Sequence, residues 1–349
     1  MRVAVHPCDS GGCGFYRLRW PAEALQAAGH DVIVADSFDA LFFNGQMIRP
    51  LVEADVVVLQ RPLARTVVES IPMLHRHGVA VVVEIDDAFH ALPRGHGARK
   101  ATAVAADPDH NRLWLRRACD LADLVTVTTP ALAEMYGSHG RVRVLPNLVP
   151  ASYLEVPTHA PRTEAPTVGW TGSVVTHVGD LDELGGVIPQ VLEETGARFV
   201  SWGVGLTEQT LGVTGRVRPW ADLLGAYPRQ VADLDVGLVP LADNAFNAAK
   251  SWLKGMEYAA LGVPFVASPR VEYERLADDG ILPEVPMAFS PEGWRNWLTR
   301  LLTHPDERAE IAAANRAAVA PYTYENHADR WWNAWRAAAD TRTRQETAA

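Results

Sequence analysis

The run VAVVVEIDD at residues 79–87 constrains the fold more than any other stretch of this chain. From Val79 to Val83 it is apolar without alternation, so it reads as a strand buried on both faces at the centre of a parallel sheet. Parallel neighbours require crossover connections, usually helical. The first half supplies them. VAV (3–5), DVIVAD (31–36), DVVVLQ (55–60), DLVTVTT (123–129) and VRVLPN (142–147) alternate with helical stretches at 21–28, 65–77 and about 110–121. Gly29 and Gly78 close the first two helices. This alternation predicts a doubly wound α/β sheet.

At 349 residues the chain is long enough for two such units. Residues 146–166 hold prolines 146, 150, 157, 161 and 166 with little apolar periodicity, and read as a linker. The pattern then restarts with TVGWTGS, ARFVSWG, a helix over 220–232, DVGLVP, a Lys/Glu helix and PFVAS. The expected domains are 1–150, 151–320 and a tail, 321–349. In that tail Trp331, Trp332 and Trp335 lie on a helix expected to dock back on the first domain.

Composition excludes several classes. Net charge is −10, which gives no support to nucleic-acid backbone binding. No run of eighteen apolar residues is present, and MRVAVHPCDS reads as a first strand, not a secretory leader. Cys8, Cys13 and Cys119 form neither a CxxC pair nor a disulfide framework. A cytoplasmic protein with no metal site is the expectation.

Ligands of open α/β sheets sit in the loops beyond the strand C-terminal ends, so candidate chemistry is sought there. EIDDAFHALP (84–93) delivers Glu84, Asp86, Asp87 and His90 to such an end. Clustered carboxylates can act as a base or hold an acceptor hydroxyl, adjacent aspartates can bind Mg²⁺, and Asp87 can simply cap a helix. Gly172 and Ser173, after TVGW, form a loop whose backbone N–H groups can approach a phosphate. In NAAKSWLKGMEYAALGVPFVAS (247–268), Lys250, Lys254 and Glu257 stand at i, i+4 and i+7, predicting one helix face with two ammonium groups and a carboxylate. That set suits a nucleoside diphosphate, with lysines on phosphates and glutamate on ribose, although surface ion pairs show the same spacing. Segment 94–117 is the most basic stretch, and its Gly- and Ala-rich start reads as a mobile loop over the acceptor side.

Several of these motifs together resemble the GT-B glycosyltransferases of the large retaining, nucleotide-sugar-dependent group. VLPNLVP (144–150) is similar to the hinge signature, GWTGS (169–173) to the glycine loop opening the rear domain, and DVGLVPL with ALGVPFVAS to the donor-binding core. GGCGFYRL (11–18) resembles the glycine loop after the first strand, which implies donor contacts for Gly12 and Gly14. The segment holding Arg216, Arg218 and Trp220 resembles the base-recognition loop. One departure stands out. The family commonly carries two glutamates flanking this helix; Glu257 matches the second, while Ala249 occupies the first. Lys250, Ser251 and Lys254 are then expected to take more of the diphosphate contact.

The resemblance implies two Rossmann-like domains facing a cleft. It also implies transfer, with retention, of a hexosyl or pentosyl group from a UDP- or GDP-linked donor to a hydroxyl, without cofactor or essential metal. Asp86, Asp87, His90 and Lys250 are the expected catalytic groups. The acceptor stays open among protein, glycan, lipid-linked glycan and modified nucleobase. A sugar-nucleotide epimerase or hydrolase, and a non-catalytic nucleotide-sugar-binding module, are the alternatives.

Overall fold

The computed structural model describes residues 1–36, 42–43, 46–47, 53–101, 108–158, 164–203 and 205–348. Residues 102–107 of the basic segment and 159–163 of the proline-rich segment therefore lie outside the described residues.

The front half is built on β1 (Arg2–His6), β2 (Asp31–Val34), β5 (Val56–Gln60), β6 (Ala80–Ile85), β7 (Leu124–Val127) and β8 (Val142–Val144). A small antiparallel hairpin, β3 (Phe42–Phe43) and β4 (Gln46–Met47), stands apart. The six-stranded sheet has the order β2-β1-β5-β6-β7-β8 with every pair parallel. β6, the unbroken apolar run, lies between β5 and β7 with all six residues buried. Helices Arg65–Arg76 and Pro108–Leu121 cover one face, where Ile71, Leu74 and Leu115 pack on Val57, Val81 and Val83.

The other face is covered by helices Trp20–Ala27 and Tyr324–Ala348, so the last helix returns to the first sheet. Trp331 and Trp335 are completely buried there, Trp332 stacks on His30 at 3.9 Å, and Trp20 lies 6.1 Å from Tyr324. Rigid aromatic side chains bury large apolar area at small entropic cost, which suits them to holding a helix that arrives late in the chain.

The rear half is a five-stranded parallel sheet of order β11-β10-β9-β12-β13. Its strands are β9 (Thr167–Trp170), β10 (Arg198–Trp202), β11 (Gly215–Arg218), β12 (Val236–Val239) and β13 (Phe265–Ala267). Strand β11 and helix Leu206–Leu211 carry no clear periodic signal, and sequence reading passed over them. The helix expected over 220–232 spans only Ala226–Ala232, because β11 and a loop take up the residues before it.

The start of the expected linker is not loose. Leu145, Asn147, Leu148 and Val149 are buried, and Val149 pairs in parallel with Thr323. The chain thus crosses between halves twice at one place, with Tyr324 N–H on the Val149 carbonyl at 3.1 Å. In each sheet the winding direction reverses once, between β1 and β5 in front and between β9 and β12 behind. Such reversals open a crevice at the strand C-terminal ends. The two crevices share one cleft.

Candidate functional site

Two adjoining chambers fill the cleft. The larger, about 550 Å³, is walled by Gly11, Gly12, Tyr16, Arg17, Trp220, Tyr227 and Glu257, among others. The smaller, about 200 Å³, is walled by Arg61, Asp87, Gly172, Pro240, Lys250 and Ser251. Cys13, Asp86, Asn147, His177, Leu253 and Lys254 line both. A cavity of about 240 Å³ behind the second sheet, near Asp235, Arg308 and Arg316, shares none of these residues.

The front wall begins after β1. Asp9 Oδ1 accepts from Gly11 N and Gly14 N, both at 2.9 Å, and this fixes the loop that leads into the first helical run. Gly12 lines the larger chamber, but Gly14 does not. A Cβ at Gly14 would lie 2.1 Å from the Asp9 carbonyl oxygen, so its glycine is required by packing and its N–H is already used. That corrects its assignment as a donor contact.

The run continues through a π-turn, Phe15–Arg19, which carries Arg17 into the interior. Arg17 is 1% exposed. Its Nε donates to Glu84 Oε1 at 2.8 Å and its Nη1 to Asn147 Oδ1 at 2.8 Å, while Nη2 finds no partner among the described residues and the residue lines the larger chamber. Glu84 is therefore buried, ion-paired with Arg17 and accepting a hydrogen bond from Thr126, not a cleft carboxylate. Burial pushes its carboxyl up to about 7, against the pull of Arg17.

Arg61 follows β5 in the left-handed region, φ 48°, with its N–H on the Glu84 carbonyl at 2.9 Å. Such a conformation costs a non-glycine residue energy and is kept where surrounding contacts demand it. Here the demand is visible. The guanidinium takes both oxygens of Asp86, one at 2.7 Å, and reaches Asp87 at 3.1 Å. Asp86 and Asp87 are thus in the cleft, as expected, but already clamped by an arginine that sequence reading missed. His90 departs from expectation. It sits on a 3₁₀ turn, Phe89–Ala91, with Nδ1 3.1 Å from the Tyr136 hydroxyl, and lines neither chamber. The turn sets it against Tyr136 of helix Pro130–Tyr136 instead of in the cleft.

The rear wall starts after β9 with Thr171 and Gly172. A Cβ at Gly172 would come within 2.2 Å of the Trp170 ring, which is 3% exposed. Gly172→Ala is expected to cost about 1–3 kcal/mol by overpacking and to weaken donor binding by displacing the loop. Thermal unfolding and ligand titration check this. Ser173 lies outside both chambers; its carbonyl accepts from Thr176 N and His177 N at 2.9 Å.

Lys250 is not on a helix. Its backbone is extended (φ −68°, ψ 143°), between a 3₁₀ turn, Asn247–Ala249, and helix Leu253–Ala260. The shared face of Lys250, Lys254 and Glu257 therefore does not exist. Neighbouring residues are tied to Asn147: Asn147 Nδ2 donates to Ser251 Oγ at 2.8 Å, and the Trp252 indole donates to the Asn147 carbonyl at 3.0 Å. Those ties hold the segment extended and turn Lys250 toward the front wall, its Nζ 3.9 Å from Asp87 Oδ1. Ala249 is buried, and its carbonyl accepts from Thr129 Oγ1 at 3.0 Å.

Lys254 and Glu257 remain one turn apart on the helix. Glu257, 2% exposed, accepts from Lys254 Nζ at 2.6 Å, from Tyr227 at 3.3 Å and from Tyr16 of the front half. Burial opposes the charge of Lys254, but Glu257 outweighs it and the ammonium is held above its usual value. Arg218 stands elsewhere. On edge strand β11 it donates to the Gln230 carbonyl at 2.8 Å and to Asp233 at 3.2 Å, so it contacts no chamber; exposed Trp220 does.

A further cleft group is His177, whose Nδ1 lies 2.7 Å from Asp180 Oδ2. The HxxD spacing was its only sequence signal. Among the described residues no cluster of three or more His, Cys, Asp or Glu is placed to hold a metal, and no helix is long and apolar enough to cross a membrane.

Comparison with known proteins agrees with this layout. Residues 187–333 match the family described as glycosyl transferase-like. No curated protein matches the chain in sequence. Solved structures align over nearly the whole chain at low identity. Sucrose-phosphate synthase from Thermosynechococcus elongatus aligns with a TM-score of 0.61 and 17% identity, over 96% of this chain and 98% of that one. The catalytic domain of starch synthase IV from Arabidopsis thaliana, bound to ADP and acarbose, gives 0.59 and 12%, over 97% and 99%. HepE from Anabaena, in complex with UDP, gives 0.58 and 14%, over 95% and 99%. The two facing parallel-sheet halves of this chain are a GT-B fold.

Proposed function

We propose that this GT-B chain is a glycosyltransferase moving a sugar from a nucleoside-diphosphate donor to a hydroxyl acceptor, with retention. One observation carries the reading. Lys254 and Glu257 on the rear wall, and Lys250 beside Asp87, converge where the two chambers meet. The larger chamber suits the nucleoside, with Trp220 and Tyr227 for the base and Glu257 for ribose hydroxyls. The diphosphate then lies at the shared wall, against Lys254, Lys250 and the backbone at Gly172. The smaller chamber takes the sugar.

The chemistry follows from that placement. The bond between the anomeric carbon and the diphosphate oxygen breaks, and the two lysines stabilise the charge developing on the leaving group. The acceptor oxygen attacks from the same face, and its proton passes to the departing phosphate. Asp86 and Asp87, fixed by Arg61, orient sugar and acceptor hydroxyls. With the lysines balancing the diphosphate and Arg61 occupying both aspartates, no essential metal is required in this reading. UDP- and GDP-linked donors both suit it, as does a cytoplasmic setting, given three cysteines outside any disulfide. The buried alanine at 249, where a second glutamate is common in the resembled group, favours one rival: a module that binds nucleotide sugars without turning them over.

Incubation with UDP-, GDP-, ADP- and dTDP-linked sugars and a panel of hydroxyl acceptors decides between them. The expected result is release of one nucleoside diphosphate, reduced about 100-fold or more in Lys250→Ala. Tight binding without release on any acceptor would favour the module.

A further inference from the structure

The reaction just described leaves His177 idle, yet Asp180 and Trp170 hold this titratable side chain in place in the cleft. Asp180, which holds it, is 1% exposed. The second oxygen of that carboxylate accepts from Ala242 N at 3.0 Å and from Asn247 Nδ2 at 2.6 Å. Every partner of Asp180 is thus a donor, and these bonds keep it ionised against its burial. An ionised partner places the imidazole proton on Nδ1 and leaves the Nε2 lone pair on the opposite edge, toward the chambers that His177 lines. The Trp170 ring packs edge-on at 5.5 Å and fixes the ring plane.

We propose that His177 is a proton-coupled ligand of the donor diphosphate, taking up a proton on Nε2 as the diphosphate enters and losing it when the nucleoside diphosphate departs. This rests on the donor reading above. A neutral Nε2 offers a phosphate oxygen only a lone pair, which repels it; a protonated one donates a charge-assisted hydrogen bond. Before ligand enters, burial holds the imidazole below its usual value, the Asp180 bond opposes this, and Lys250 and Lys254 deepen the depression. Glu257, Asp86 and Arg17 also share its larger chamber, each already tied to a partner. A bound diphosphate brings two negative charges among these groups and reverses the balance. Asp180 then serves as counter-charge to the imidazolium. The proton comes from solvent and returns to it, so no other group changes state.

Calorimetric titration of the full chain tests this. Nucleotide sugars from the panel above are used, in buffers of differing ionisation enthalpy, between about pH 6 and 9. A sugar-linked diphosphate has no proton that titrates there, so uptake belongs to the protein. Wild type is expected to absorb protons on binding, with affinity falling by up to about tenfold per pH unit between the free-state and bound-state pKa of His177 and levelling off above the latter. His177→Gln should bind more weakly below that point and lose the slope. Asp180→Asn keeps its oxygen for Ala242 N and Asn247 Nδ2 and turns its NH₂ to His177 Nδ1, so the neutral ring carries its proton on Nε2. Binding should persist while proton uptake and the pH slope fall, a change that misfolding does not produce. Binding by wild type without proton uptake, or an unchanged slope in His177→Gln, overturns this proposal alone. Failure of wild type to bind any nucleotide sugar overturns the donor reading, and this one with it.

Discussion

Glu257→Ala is expected to abolish donor turnover and to lower folding stability by about 1–3 kcal/mol, the cost of leaving buried donors without their acceptor. Both effects arise from one environment. The carboxylate is almost fully enclosed and accepts from Lys254, Tyr227 and Tyr16. Its removal leaves two buried phenols without their carboxylate acceptor, while Lys254 keeps the Tyr227 oxygen and stays partly open to the cleft. Tyr16 comes from the front half, so the same change cuts a bond joining the halves. Burial first, and Glu257 second, hold the Tyr16 phenol well above its ordinary value, so it stays a donor at any working pH. Glu257→Gln separates the contributions: it keeps two polar atoms for the phenols but removes the charge opposite Lys254. Denaturant unfolding should rank wild type, Gln and Ala in falling order. An alanine variant with the wild-type midpoint and rate would refute the account.

The sequence disclosed the fold through hydrophobic runs and the site only through its ends. β6 was legible because burial on both faces removes polar alternation, and Asp86 and Asp87 because they follow its C-terminus directly. β11 was not, since its Arg216 and Val217 are exposed and give an edge strand no periodic signature. Lys250 misled because helical spacing holds only if the helix does. Two bonds to Asn147, about a hundred residues away, decide that it does not. Arg61 shows the same blind spot from the other side. It also follows a buried strand, but its partners lie just past the end of the next strand, 25 and 26 residues on. Local pattern names the loops; tertiary pairing decides which of their charges are spoken for.

Arg17→Leu is the companion experiment on the front wall, with an expected loss of about 3–5 kcal/mol at pH 8. Leucine leaves Glu84 buried with Thr126 as its remaining side-chain partner. The pH dependence gives the test its sign. Burial raises the Glu84 pKa to about 7, above its unfolded value, and Arg17 is the chief group opposing that rise. A carboxyl raised on folding contributes stability that is complete below the unfolded pKa and is lost as pH climbs through the folded one. Without Arg17 the folded pKa climbs further and the loss steepens, so the variant should sit closest to wild type near pH 5 and farthest at pH 8. Arg17→Leu with Glu84→Leu removes both charges and should recover most of the stability, because an apolar pair suits a dry interior. Recovery of folding without recovery of turnover would then isolate the second task of Arg17. Arg17 also lines the larger chamber, with its Nη2 unpaired among the described residues, and the double variant supplies no donor in its place.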